Sequence, residues 1–183
     1  VTVNLGLRSF KGYPYEGGIR VPTIVSWLNK IPAGTISDTP IITMDWIPTV
    51  LDLMGEDSTV GDGVSLKSLL LEQGPLGNRD LFWHFPHYRG ADVVPYSIIR
   101  SGEYKLIHYY YVEDQWELID RKKDPMELRN VYEDPAYAEI REDLHKRLEA
   151  LRAKYKDNSQ LSQRYIDDLM KDASDGKVFG VTK

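Results

Sequence analysis

Behind Asp134-Pro135, apolar residues recur as Tyr137, Ile140, Leu144, Leu148, Leu151 and Tyr155, at steps of three and four. That spacing lines one face of a helix with an apolar stripe, and a stripe this long requires a second layer to cover it. Asp134 is a good N-cap and Pro135 suits the first helical position, so the sequence predicts a helix over 135–156. The covering layer lies upstream. Residues 81–87, 96–100, 104–111 and 115–120 are rich in aromatic and β-branched side chains, which favour strands. Ser101-Gly102-Glu103 and Val112-Glu113-Asp114 are short connectors, so the last three strands are expected as an antiparallel meander. The expected C-terminal architecture is α+β: a small four-stranded antiparallel sheet on a long helix. Tyr109, Tyr110, Tyr111 and Trp116 fit either the core beneath that helix or a sugar-stacking platform. Consecutive strand residues alternate faces, which favours the core.

The N-terminal part reads differently. Residues 1–20 have no clear period and read as a loop. Residues 22–27 (Pro-Thr-Ile-Val-Ser-Trp) are almost continuously apolar, as in a strand buried on both faces of a parallel sheet. A helix is expected next, from Pro48 through Val50, Leu51, Leu53 and Met54, with Gly55 at its C-terminal stop. Gly55, Gly61, Gly63, Gly74, Pro75 and Gly77 mark a connector, with a helical turn over 64–71. The strand and helix make this part α/β. The expected divisions are 1–78, 79–157 and a tail over 158–183, with one more short helix followed by a loose, disordered end over 175–183.

Composition removes several classes of function. The 183 residues carry 23 Lys plus Arg against 28 Asp plus Glu, a net charge of −5, which argues against nucleic-acid binding. No apolar run approaches the ~18 residues of a membrane span, so neither nucleic acid nor membrane is expected as a partner. The absence of Cys excludes disulfides, thiolate zinc sites and a Cys nucleophile within the chain.

The segment richest in chemistry is Phe10-Lys11-Gly12-Tyr13-Pro14-Tyr15-Glu16-Gly17-Gly18-Ile19-Arg20-Val21-Pro22. Adjacent glycines permit close backbone approach, and Lys11, Glu16 and Arg20 surround them. One reading is an anion site with Lys11 as a point charge. The other is a tight loop with a structural Glu16–Arg20 pair and a solvated lysine. His84 and His87 cannot share a helical face because Pro86 lies between them, and on a strand they point to opposite sides. A metal site there is not expected.

Lys11-Gly12 followed by Tyr15-Glu16-Gly17-Gly18-Ile19-Arg20-Val21-Pro22 resembles the signature of the formylglycine-dependent sulfatases, in the alkaline-phosphatase-like superfamily. Asp45 with 48–55, the Phe82-Trp83-His84-Phe85-Pro86-His87-Tyr88 segment, 98–107, Glu117-Leu118-Ile119-Asp120 and Asp124-Pro125 continue the resemblance in family order. It implies that 1–78 is the end of a sulfatase catalytic α/β domain and 79–157 its C-terminal subdomain. It also implies that Lys11 contacts the sulfate. Glu16, Gly17, Gly18 and Arg20 are implied as a structural motif, and His84, His87 and Arg89 as substrate contacts at the rim. The complete enzyme of such a family uses calcium and formylglycine, but this chain has no Cys/Ser-x-Pro-x-Arg motif and no assigned metal ligand. The expected activity is hydrolysis of sulfate esters, of a sulfated carbohydrate or aryl sulfate, by a bacterial-type enzyme that is periplasmic or secreted. The chain alone is expected to be inactive, and to self-associate through its N-terminal part. A phosphate or phosphonate monoester hydrolase of the same superfamily, and a non-catalytic glycan-binding or assembly module, are the alternatives.

Overall fold

The computed structural model describes residues 6–85, 95–109 and 115–157, with scattered residues between 163 and 174. In chain order they form α1 (Glu16–Ile19), α2 (Trp46–Met54), β1 (Asp80–Phe85), β2 (Tyr96–Ser101), β3 (Tyr104–Tyr109), β4 (Gln115–Asp120) and α3 (Ala138–Lys154). Two compact units result: Val1–Val21 with Arg79–Lys183, and Pro22–Asn78. Residues 6–21 thus group in space with the C-terminal sheet.

In the first unit all four strands, including β1, make one antiparallel meander in the order β1-β2-β3-β4. Phe82, Ile99, Leu106 and Leu118 lie side by side across it. Their face packs against Leu144 and Leu148 of α3 and against Val131 and Tyr137. Burying each such aliphatic side chain contributes about 1.5–3 kcal/mol. The stripe read from the sequence is therefore the contact surface of α3. The helix is entered through a 3₁₀ turn, Pro135–Tyr137, where the Asp134 carboxylate accepts the Ala136 N–H.

The other face of the sheet is also covered. Ile98, Ile107 and Tyr96 pack there with Tyr15, and with Tyr13 and Ile19 at the edge. The cover is the N-terminal segment itself, with the helical turn α1 where a loop was expected. Tyr109 belongs to this face, whereas Trp116 lies on the α3 face. Tyr110 and Tyr111 lie outside the described residues, as does most of the tail.

In the second unit α2 forms as expected and ends at Gly55, whose φ of 79° is the left-handed conformation that glycine adopts cheaply. The buried Asp45 carboxylate accepts the N–H groups of Ile42 (2.8 Å) and Val64 (3.0 Å). Thr49 Oγ1 accepts the Leu66 N–H at 2.8 Å. Lys67 Nζ pairs with Asp52 at 2.9 Å, and Ser65 donates to the same carboxylate at 2.6 Å. These polar staples hold the glycine-rich connector to α2. The helical turn expected over 64–71 forms as a π turn at Ser68–Glu72.

The strand expected over 22–27 is absent. Those residues are irregular, and Ile24 is 94 % exposed. A strand requires a neighbour to satisfy its backbone groups, and among the described residues of this unit no strand stands beside it. Propensity without a pairing partner does not make a strand. No described helix is long and apolar enough to cross a membrane.

Candidate functional site

Lys11 sits on a tight turn. Tyr13 N–H donates to Phe10 C=O at 3.1 Å, and the two rings meet edge-on at 4.9 Å. Gly12 occupies the third position of this turn with φ 101°, a backbone conformation that side chains resist. Lys11 therefore projects from the corner and is exposed. Among the described residues no ion pair reaches it.

The two adjacent glycines let that turn pack on α1. A Cβ at Gly18 would stand 2.1 Å from Tyr13 O and 2.7 Å from Phe10 O. One at Gly17 would stand 2.3 Å from both Arg8 O and Ser9 O, and the Gly17 N–H donates to Arg8 O at 3.0 Å. Neither position has room for a side chain.

Glu16 is buried and ties α1 to the sheet. Its Oε1 lies 2.9 Å from Lys105 Nζ, and its Oε2 lies 3.1 Å from Arg121 Nη2. Lys105 also pairs with Glu127, and it reaches Pro14 C=O at 3.4 Å. Glu127 accepts the Glu16 backbone N–H, and Arg8 donates to the Glu127 carbonyl oxygen. Lys105 and Glu127 have no exposed surface. Burial pushes the Glu16 carboxyl up, but Lys105, with Arg121 and Arg100, outweighs it and holds the group below the usual carboxylate range. Arg20 is mostly exposed and stands 4.0 Å from Glu16. The principal partners of Glu16 are thus Lys105 and Arg121, and the Glu16–Arg20 pair is peripheral.

Beside this knot, Tyr15 Oη donates to the Glu117 carboxylate (3.0 and 3.1 Å) and accepts from Tyr109 Oη at 2.8 Å. Burial, chiefly, pushes the Tyr15 phenol up to about 12. The Arg8 guanidinium lies over the Tyr15 ring, 3.5 Å from its centroid.

Of the rim residues read from the sequence, His87 and Arg89 lie outside the described residues. His84 is described, and the structure does not bring it to Lys11. It aligns with Ser97 and His108 on the α3 face, opposite the face covered by the Lys11 segment. Its Nε2 is 3.2 Å from Asp157 Oδ1. Asp157 also accepts from Ser97 Oγ (3.1 Å) and Arg152 Nε (3.2 Å) just past the end of α3. Burial lowers the His84 pKa, Asp157 acts against that and Arg152 with it, and the imidazole stays below its usual value.

Lys105 and Glu127 are not apparent from motif reading. Strand alternation does flag Lys105, because it shares a sheet face with the buried Ile107, and a charge at such a position requires a buried partner. Glu127 leaves no comparable sign. Its φ of 56° is a conformation that glutamate seldom adopts.

Among the described residues no group of three or more His, Asp or Glu could hold a metal ion. The residues described here therefore do not fit the calcium that the resemblance implies for a complete enzyme.

A family model described as N-sulphoglucosamine sulphohydrolase, C-terminal, matches residues 9–154. The chain belongs to this family. It is 33% identical over 153 residues to an N-acetylglucosamine-6-O-sulfatase of Bacteroides thetaiotaomicron, covering 81% of this chain and 27% of that protein. An arylsulfatase of Clostridium perfringens is 31% identical over 171 residues, covering 88% of this chain and 34% of that one. Among solved structures, that of BT4656 with its substrate D-glucosamine-2-N,6-O-disulfate superposes with TM-score 0.56 at 34% identity, covering 63% of this chain and 24% of that one. The chain thus spans about a quarter to a third of the length of these two curated relatives.

Proposed function

We propose that this chain is the C-terminal part of a sulfatase that hydrolyses sulfate esters of carbohydrates, in which Lys11 contacts the sulfate group. The supporting observation is the Phe10–Tyr13 turn within the family-matched region, which presents an exposed lysine from a braced backbone. The relatives named above include a sulfatase of N-acetylglucosamine and a complex with a disulfated glucosamine, which supports a sulfated amino sugar as substrate class. An ammonium beside a sulfate oxygen stabilises the charge that develops as the ester S–O bond breaks. His87 and Arg89 remain in this reading as rim contacts. His84 becomes a structural residue, because its ring is engaged with Asp157 under α3.

Formylglycine would be supplied outside these 183 residues, since they contain no Cys and no Cys/Ser-x-Pro-x-Arg motif. The chain alone is accordingly inactive. A periplasmic or secreted location, and self-association through the Pro22–Asn78 unit, complete the reading. The decisive experiment assays the complete sulfatase carrying this segment on 6-O-sulfated glucosamine, with Lys11→Met alongside. Loss of about 10²–10³ in kcat is expected for Lys11→Met. Full activity of that variant refutes the role of Lys11. Turnover of 4-nitrophenyl sulfate by the isolated 183-residue chain refutes its inactivity.

A further inference from the structure

We propose that Tyr96 is a positioning residue for Lys11, acting through a hydrogen bond from its hydroxyl to the Gly12 carbonyl. The inference rests on the reading of Lys11 as the sulfate contact. Tyr96 opens β2, on the sheet face that the N-terminal segment covers, and it is 3 % exposed. Its Oη donates to Gly12 C=O at 3.1 Å. Gly12 is buried and directly follows Lys11.

The peptide after Gly12 is the hinge of the turn. Gly12 is the residue with the freest backbone there, and its φ of 101° lies in a region that a glycine enters and leaves easily. Without an external tether, rotation at Gly12 would swing the Lys11 corner. The Tyr96 hydroxyl supplies that tether from a rigid strand. The phenol ring is itself fixed by stacking on Phe85, with centroids 5.3 Å apart and planes 14° from parallel. Burial pushes the Tyr96 phenol pKa up, so the hydroxyl keeps the proton it donates. A second anchor lies two residues further on, where Lys105 Nζ reaches Pro14 C=O at 3.4 Å. Lys11 is the exposed member of a segment whose next few residues are pinned to β2 and β3.

Tyr96→Phe removes the hydroxyl and keeps the stacked ring. In the complete sulfatase it should lower kcat about tenfold, the scale of a small misplacement of a reacting group, with KM for the sulfate ester changed less than about twofold. In a Lys11→Met background the same substitution should have no further effect. An unchanged kcat for Tyr96→Phe, or an equal loss with and without Lys11, overturns the proposal. Full activity of Lys11→Met alone overturns instead the reading beneath it, so the two failures are distinct. The 183-residue chain provides a readout independent of turnover. In Tyr96→Phe the Gly12 carbonyl ¹³C resonance should move upfield while the amides of β2 and β3 keep their protection from exchange. A Gly12 resonance that does not move shows that the hydrogen bond is not made, and overturns the proposal.

Discussion

Lys105 Nζ lies 2.9 Å from Glu16 Oε1, joining the middle of the C-terminal sheet to the glycine motif 89 residues earlier in the chain. Both side chains are buried, and Glu127 and Arg121 complete the group. Two buried acids share Lys105 and Arg121, so each charge depends on the others. Taking such charges out of water is costly, and a buried set of this kind is better at fixing one arrangement than at adding stability. Here the arrangement fixed is the docking of the Lys11 segment on the sheet.

Lys105→Met should therefore destabilise the first unit by about 3–5 kcal/mol, because buried Glu127 loses its Lys105 counter-charge and Glu16 is left with Arg121 as its close partner. Adding Glu127→Gln to Lys105→Met should restore part of that loss, in contrast to independent sites, whose effects add. Urea unfolding of the two single variants and the double would show this, and strict additivity would contradict it. The folded pKa of Glu16 is depressed, by Lys105 against the opposing effect of burial. Its contribution is present above the ordinary carboxylate value of about 4.3 and is lost as pH falls through the lower folded value. Glu16→Gln should flatten stability against pH in that acid range and leave the neutral range as it is in the parent.

Gly17→Ala and Gly18→Ala should each destabilise by about 1–3 kcal/mol or more, because the new methyl meets backbone oxygens that cannot rotate away. Gly77 has nothing within 4 Å of the same added carbon, so Gly77→Ala should stay within about 0.5 kcal/mol of the parent. Thermal unfolding of the three variants tests the contrast. Equal melting temperatures would mean that the two motif glycines are not required for packing.

His84 should give the chain a pH dependence close to neutrality. Its imidazole is lowered by burial first, while Asp157 opposes and Arg152 assists. A lowered folded value means that the unfolded chain takes up the proton first. Stability from this site is complete above about pH 6.5 and falls as pH drops toward the folded value. Asp157, Arg152 and Ser97 surround the group and are common to parent and variant. His84→Gln should remove the slope just below pH 6.5. Parallel stability curves for parent and variant from pH 5 to 8 would show that His84 titrates alike in both states.

Much of this was legible in the sequence, and the exceptions share a physical cause. The α3 stripe, the four strands, the Asp134 cap and the Gly55 stop depend on local periodicity and on single-residue backbone preference, so they can be read along the chain. The glycine pair could be flagged as a close approach, but not what approaches it, because Arg8, Ser9 and Tyr13 supply carbonyl oxygens that carry no residue signature. Proximity in sequence pairs Glu16 with Arg20, whereas its closer partners Lys105 and Arg121 come from β3 and the turn after β4. The segment 22–27 has strand composition, yet a strand depends on a neighbour. The family resemblance places His84 at the rim, whereas the pairing of β1 with β2 sets it on the α3 face of the sheet.

The exposed face of α2 supports a last prediction. Ile47, Val50 and Met54 are spaced three and four apart and are all more than half exposed. They form a continuous apolar stripe on a nine-residue helix whose Pro48 and Thr49 are buried. A contiguous apolar surface of this kind tends to associate. The 183-residue chain should therefore show a scattering mass that rises with concentration. Ile47→Glu with Val50→Lys should bring it down to that of a monomer without changing the melting of the sheet unit. A parent chain that scatters as a monomer at every concentration, or a double variant that still associates, would remove α2 as the cause.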